Sequence, residues 1–403
     1  MISLKDIEQA KSRLCGVVQK TPCLLSRTFS EELGVRAWFK YETLQLTGSF
    51  KVRGAYNKIS ALPPEEAARG VITASAGNHA QGVAFSASQA GVASTIVMPV
   101  RTPLIKIENT RRLGGGVVLA GETFDEACEE ALRLEQERGL VFVHPFDDEQ
   151  VIAGQGTIGL EILEAAPEIE AIVVPVGGGG LIAGIATAVK ETRPDVKVYG
   201  VQTASAPAMA RSFGEGRILN CPTERSLADG IAVKKPGTRT FEHILKYVDG
   251  IVTATEDEIR ASLIKLVEVG KSVVEGAAAI ALAAVAGKHL PDLAGRNVAM
   301  VLSGANIDAA LLARIIDRSL AESHRLVQIR THVSDRPGAL AELLQIIARH
   351  GGNVMGIQHD RVFMHAGLWE AQVDIILETR NSAHIGELRR AIVDNGYEVE
   401  RLA

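Results

Sequence analysis

The sequence predicts an α/β fold built on a parallel sheet, followed by a smaller α+β domain of ferredoxin-like order. Three observations carry this. Strand–loop–helix cycles recur over residues 1–325, and such cycles call for parallel strands joined by right-handed crossovers. Glycine makes up 39 of the 403 residues, above a usual share of about 7%, as tight βα loops require. Residues 326–403 then run through a βαββαβ cycle of their own.

The first clear unit starts at the short apolar run Val71–Thr73. A loop, Ser75-Ala76-Gly77-Asn78, leads into a helical pattern that Gly91 stops after Ala90. Val92–Pro99 is the next strand. Ala171–Val176 is apolar throughout, the mark of a strand buried on both faces. Four glycines follow it, then a helix from about Leu181 to Thr192 and a strand over Val196–Val201. Asn297–Leu302 is a late strand, and a helix from Asp308 to Ala321 closes this part. The second cycle begins with alternation over Leu326–Val333. Ser334–Gly338 turns into a helix from about Ala339 to His350, which Gly351-Gly352-Asn353 ends. A strand follows, then the strand Trp369–Glu378, a helix over His384–Asp394 and a terminal strand near Tyr397. The new cycle places a domain boundary at 322/323, dividing the chain into 1–322 and 323–403.

Composition narrows the function classes. Apolar residues are 46% and charged residues 23%, an ordinary globular balance that excludes disorder, collagen and coiled coil. The net charge is -5, without the basic stripe of a nucleic-acid binder. Small molecules and other protein chains are the expected partners. Cys15, Cys23, Cys128 and Cys221 form no C-x-x-C, so free thiols in a reducing compartment are expected. The N-terminal MISLKDIEQAKSRL has charges where a signal peptide needs an apolar run. The uncharged stretch 171–189 is long enough to cross a bilayer, but Pro175 and the glycines make it a buried βα unit instead. A cytoplasmic protein with no membrane or nucleic-acid partner is the expectation.

Four segments bear chemistry. Gly177, Gly178, Gly179 and Gly180, then Leu181, sit between a strand and a helix. Such a run is either a tight turn or a cradle whose N–H groups meet a phosphate at a helix N-terminus. No Lys-Ser or Lys-Thr follows, so it is no Walker loop, and it lacks the dinucleotide fingerprint. Lys51 stands between Phe50 and Val52, in Thr47-Gly48-Ser49-Phe50-Lys51-Val52-Arg53-Gly54-Ala55. Lysines are ordinarily solvated, but a desolvated one becomes a usable nucleophile or base. Asn78 follows a strand end, where ligands bind in parallel sheets; it could donate to a ligand or cap its helix. His79 there fits packing better than base catalysis. Ser303, in Ser303-Gly304-Ala305-Asn306, could meet a ring nitrogen or simply form a turn.

Together, Ser49–Ala55, Ser75-Ala76-Gly77-Asn78-His79-Ala80-Gln81-Gly82, Gly177–Gly180, Val274-Glu275-Gly276-Ala277 and Ser303–Asn306 resemble the threonine dehydratase (threonine ammonia-lyase) family. These are fold-type II pyridoxal-phosphate enzymes, related to serine racemase and tryptophan synthase β. The resemblance covers nearly all of residues 5–320. It implies two parallel-sheet α/β subdomains, the smaller (about 48–145) inserted in the larger. It also implies a cofactor, pyridoxal 5'-phosphate, held by Lys51 as a Schiff base. Phe50 would pack near the ring, Asn78 would bond the 3′-oxygen, and Gly177–Gly180 with Leu181 would cradle the phosphate. Ser303 would meet the pyridine nitrogen and leave it largely unprotonated, which favours elimination. Ser75, Gly77 and Asn78 would hold the substrate carboxylate. The implied reaction is β-elimination of L-threonine to 2-oxobutanoate and ammonia, with L-serine to pyruvate second and Lys51 taking the Cα proton. A serine or hydroxyaspartate dehydratase, a racemase, and a silent cofactor-bound amino-acid sensor are the alternatives.

Departures from the family pattern sharpen this. Serine racemases carry a serine where Ala76 stands, so racemisation is expected to be poor. Relatives bind a divalent ion through acids after the strand Val196–Val201, but Gln202–Ala208 holds none; no metal is expected, though a monovalent ion on carbonyls stays open. The family usually has glycine at Ala305. Residues 326–403 resemble an ACT domain through Asp335-Arg336-Pro337-Gly338-Ala339-Leu340 and Asn353. That implies amino-acid regulation or assembly, as a homodimer or homotetramer. Asp335, Pro337, Gly338 and Asn353 are the candidate effector contacts, with isoleucine or valine as candidate effectors. The six histidines of the last eighty residues (His324, His332, His350, His359, His365 and His384) show no metal-ligand spacing.

Overall fold

The computed structural model describes residues 1–362 and 368–402; His365 lies outside them. In chain order the described strands are β1 (Cys23–Leu25), β2 (Arg36–Tyr41), β3 (Val71–Ala74), β4 (Ser94–Met98), β5 (Gly116–Leu119), β6 (Val141–Phe142), β7 (Ala171–Pro175), β8 (Lys197–Thr203), β9 (Gly250–Ala254), β10 (Asn297–Leu302), β11 (Leu326–Ser334), β12 (Asn353–Asp360), β13 (Glu370–Glu378) and β14 (Val399–Leu402). They form three sheets. The six-stranded sheet has the order β1-β2-β10-β7-β8-β9, and a four-stranded sheet the order β5-β4-β3-β6. Both are parallel except at the edge, where β1 runs antiparallel to β2. The smaller sheet is built from chain lying between β2 and β7, so it is an insertion in the larger. The third sheet, β12-β13-β11-β14, is antiparallel.

The two parallel sheets and their helices form one compact unit, Met1–Ile307, and the remainder, Asp308–Ala403, forms a second. The helix Ala309–Glu322 is counted with the second unit, ahead of the 322/323 boundary expected from the strand cycle. Of its residues, Ile315 alone is buried.

Burial explains the sequence pattern. Every residue of β7 is buried, as its unbroken apolar run predicts. The helix Gly276–Ala286 (GAAAIALAAVA) is apolar on all sides and buried along all but its last residue; it packs against β7, β8, β9 and β10. In the second unit, β11 and β13 alternate, with Val327, Ile329, Val333, Val373, Ile375 and Leu377 turned into the core. The helices Ala339–Arg349 and Ser382–Asp394 supply Leu343, Ile347, Leu388 and Ile392 to the same core. This is the βαββαβ order.

Candidate active site

Lys51 opens the helix Lys51–Ser60, with Phe50 at its N-cap. Its Nζ donates to the Pro145 carbonyl at 2.8 Å and lies 5.2 Å from the Phe50 ring centroid. The residue as a whole is half-buried. Protein around the amine pushes its pKa down to about 8, against the opposing pull of the Glu275 carboxylate. Arg53, two residues on, is fully buried and bonds Glu42 through Nε and Nη2, both at 2.8 Å. It also reaches Glu161 at 2.6 Å and 2.9 Å. Lys40 Nζ meets the same Glu161 at 2.5 Å. Two cations thus face two carboxylates beneath the lysine helix.

The Ser303 loop and the segment just before Lys51 meet through the backbone. Phe50 N–H donates to the Ser303 carbonyl at 3.1 Å, and Ala305 N–H to the Gly48 carbonyl at 2.9 Å. Ser49 and Gly304 form a bridge between them. Ser303 is buried, and its hydroxyl makes no hydrogen bond among the described residues.

Asn78 is the first residue of the helix Asn78–Ala90, directly after Ser75-Ala76-Gly77. Ser75 Oγ accepts from Gly77 N–H at 3.3 Å. The helix lies against the lysine: a Cβ on Gly82 would come within 3.3 Å of Lys51 Cβ. Asn78 Nδ2 donates to both Glu275 oxygens, at 2.8 and 2.9 Å. His79 is buried with Nε2 on the Val143 carbonyl at 2.9 Å. Burial first, then nearby Lys51, drops its pKa to about 3, so it stays neutral and serves packing, as its place in the sequence suggests.

The four glycines join β7 to the helix Gly180–Thr192. Gly179 has φ +99°, in the left-handed region. Side chains on the protein side also require glycine: a Cβ on Gly178 would sit 2.4 Å from the Phe146 ring, and one on Gly180 would meet Phe146 at 2.9 Å. The adjacent Pro145 carbonyl holds Lys51, so one short segment touches both the amine and the cradle.

Open hydrogen-bonding capacity shows what this arrangement can hold. The N–H groups of Gly177, Gly178 and Gly179 find no acceptor among the described residues. Those of Gly180 and Leu181 open a helix, whose first four N–H groups lack intrahelical partners. Asn78 Oδ1 is buried without a partner. A phosphate fits the first set, and the carboxamide and the Ser303 hydroxyl suit a polar ring between them. A family model described as pyridoxal-phosphate dependent enzyme matches residues 14–304. The chain belongs to that family.

A second model, of the ACT domain, matches residues 327–394. The L-threonine ammonia-lyase of Thermotoga maritima is 51% identical over 399 residues, 99% of each chain. That of Geobacter sulfurreducens is 48% identical over 402 residues, 100% of each. Among solved structures, the processed form of threonine deaminase isoform 2 from Solanum lycopersicum superposes with a TM-score of 0.74 at 42% identity, covering 78% of this chain and 86% of that one. The fold is that of the fold-type II pyridoxal-phosphate enzymes, with a C-terminal ACT domain.

The ACT residues are more scattered than the pyridoxal-phosphate site. Asp335 lies beyond the Ser334–Glu370 pair, its N–H on the Trp369 carbonyl at 2.8 Å and its carboxylate on Arg361 at 2.8 Å. Pro337 and Gly338 lead from there into the helix Ala339–Arg349. Asn353 pairs with Glu378, at the opposite end of β13, and donates to its carboxylate at 3.0 Å. One chain therefore does not bring Asn353 beside the 335–338 loop. Sequence reasoning also missed Pro145, Phe146 and the role of Glu275. Near β8 it found no acid, yet Glu256 arrives from another helix. Its Oε1 accepts from Thr203, Ser205 and Ser226 hydroxyls at 2.8, 3.1 and 2.6 Å, and Oε2 accepts from Leu227 N–H at 2.7 Å.

Proposed function

We propose that this chain is an L-threonine ammonia-lyase, turning L-threonine into 2-oxobutanoate and ammonia and L-serine, secondarily, into pyruvate. The observation that carries this reading is likeness along 99% and 100% of the chain to two enzymes of that name. When bound, pyridoxal phosphate supplies a sink for the electron pair left at Cα. Gly177–Gly180 and Leu181 hold its phosphate, Lys51 its carbonyl carbon, Asn78 its ring oxygen and Ser303 its ring nitrogen, with Phe50 beside the ring. Ser75, Gly77 and Asn78 hold the substrate carboxylate at a helix N-terminus, which favours an anion. Lys51 Nζ, neutral above about pH 8, takes the Cα proton. The β-hydroxyl then leaves as water, and a water returns as ammonia departs. Ala76 offers no hydroxyl to the opposite face, so elimination outruns racemisation.

The same reading assigns residues 1–322 to catalysis and 323–403 to an amino-acid effector, in a cytoplasmic homodimer or homotetramer. Asp335, Pro337 and Gly338 would face Asn353 of a second copy. No helix among the described residues is long and apolar enough to cross a membrane. The test is 2-oxo acid formation from L-threonine, L-serine, D-serine and L-threo-3-hydroxyaspartate, each with and without isoleucine. The expected result is fastest release from L-threonine, slowed by isoleucine. A protein that binds the cofactor yet releases no 2-oxo acid from L-threonine overturns the reading.

A further inference from the structure

Glu275 belongs to a motif that the reaction above leaves without a task. It precedes the buried helix Gly276–Ala286 and is itself buried. Its carboxylate joins two parts of the site. Asn78 Nδ2 reaches both of its oxygens, at 2.8 and 2.9 Å. On the other side it lies against the Ser303 loop: a Cβ on Gly304 would come within 2.6 Å of Oε1, and Glu275 N–H donates to the Gly304 carbonyl at 3.1 Å. Among the described residues the carboxylate makes no ion pair. The charged groups that act on it are Asp229 from the turn Asp229–Ile231, Lys106 from the helix Leu104–Arg112 and Lys51 from its own helix.

The chemistry of the pair follows from what each end can do. An ionised carboxylate only accepts; a protonated one also donates. While Glu275 is ionised, Asn78 Nδ2 is committed to it, and the buried, unpartnered Oδ1 is the end left for the rest of the site. Once Glu275 is protonated, its O–H can hold Oδ1 after a half-turn of the carboxamide, and Nδ2 becomes the free end. An anionic ring oxygen needs a donor, and a protonated one offers its hydrogen to an acceptor.

Resting on the pyridoxal-phosphate site proposed above, we propose that Glu275 is a positioning residue: its protonation decides, through Asn78, whether the site presents a donor or an acceptor to the cofactor's ring oxygen. The relay is placed to act near neutrality. Burial raises the Glu275 pKa to about 7, the Asn78 bond opposes the rise, and Asp229 adds to it.

The test titrates the visible absorption of the cofactor-loaded wild type, Glu275→Gln and Glu275→Asp across neutrality, with cofactor dissociation constants at each end of the range. A spectral transition near pH 7 is expected in the wild type, lost in Glu275→Gln and retained, displaced, in Glu275→Asp. If Glu275→Gln fails to load, Asn78→Ala carries the test, because it removes both the donor and the acceptor that the relay exchanges; the transition is again expected to vanish. A wild type without the transition, or one whose transition survives unchanged in these variants, overturns the relay. Threonine turnover separates the two readings. A protein that deaminates threonine but keeps its transition in Glu275→Gln refutes the relay alone. One that shows the expected spectra without deaminating threonine refutes the assigned reaction and supports the relay.

Discussion

Lys51, half-buried, and Glu275, buried, are two ionisable groups whose shifts point in opposite directions along the pH scale. The lysine is lowered from 10.5 to about 8 and the glutamate raised from 4.5 to about 7, burial being the first cause of each. Between pH 8 and 10.5 the cofactor-free folded protein binds fewer protons at Lys51 than the unfolded chain, so this group's contribution to stability improves as pH rises through that window. Between 4.5 and 7 the folded protein binds more at Glu275, so that contribution worsens as pH rises. Below about pH 8 the buried ammonium exerts its full cost. Lys51→Ala is therefore expected to melt above the wild type at pH 7 when both lack cofactor, and to lose that advantage above about pH 10.5. An amine adds to a carbonyl only when neutral. The rate at which cofactor-free protein takes up pyridoxal phosphate should then climb with pH and level off above about pH 8, followed by absorbance in a stopped-flow mixer. A rate flat across that range would contradict the lowered pKa. Of these two groups only the lysine was legible in the sequence, because its apolar neighbours and glycines are local. Glu275 draws its meaning from Asn78, 197 residues away, and no spacing along the chain reports such a meeting.

At the scale of elements, the helix Glu149–Ala165 packs between the lysine helix and the helix that follows the glycine loop. On one side it meets the lysine helix, where a Cβ on Gly154 would lie 2.6 Å from the Arg53 carbonyl and 2.7 Å from Gly54 Cα. On the other it meets the helix that follows the glycine loop, where a Cβ on Gly184 would lie 2.3 Å from the Ile152 carbonyl. Backbones this close leave no room for a methyl group. Gly154→Ala should cost about 1–3 kcal/mol, the usual range for overpacking, read from denaturant unfolding of the cofactor-free protein. It should also lower kcat, because the displaced helix is the one that carries Lys51. A variant as stable and as active as the wild type would mean that the helices slide apart freely. The strands and helices themselves were legible, since period and glycine stops are local signals: β10 and the helix ending at Ala90 fall where the sequence places them. The charge cluster was not. Arg53, Lys40, Glu42 and Glu161 lie on separate elements, Glu161 far along the chain from the other three, and only the fold brings them together.

For the whole molecule, the ACT unit sets a constraint that follows from its register alone. The 335–338 loop adjoins the Glu370 end of β13, and Asn353 adjoins the Glu378 end. Eight residue steps of about 3.3 Å separate them, roughly 26 Å, far more than one amino acid spans. An effector site that uses both must draw them from two copies. Asp335→Ala releases the loop from its Arg361 anchor, and Asn353→Ala removes the amide. Each variant alone should lose the response to isoleucine and keep its basal threonine turnover. In a mixed pair, one site inherits both substitutions and the other inherits neither. Mixed pairs of Asp335→Ala and Asn353→Ala chains, separated from the like pairs, should therefore recover half of their effector sites, and the randomly co-assembled pool about one quarter, counted by calorimetric titration of isoleucine. A site confined to one chain would instead leave every mixed pair unresponsive.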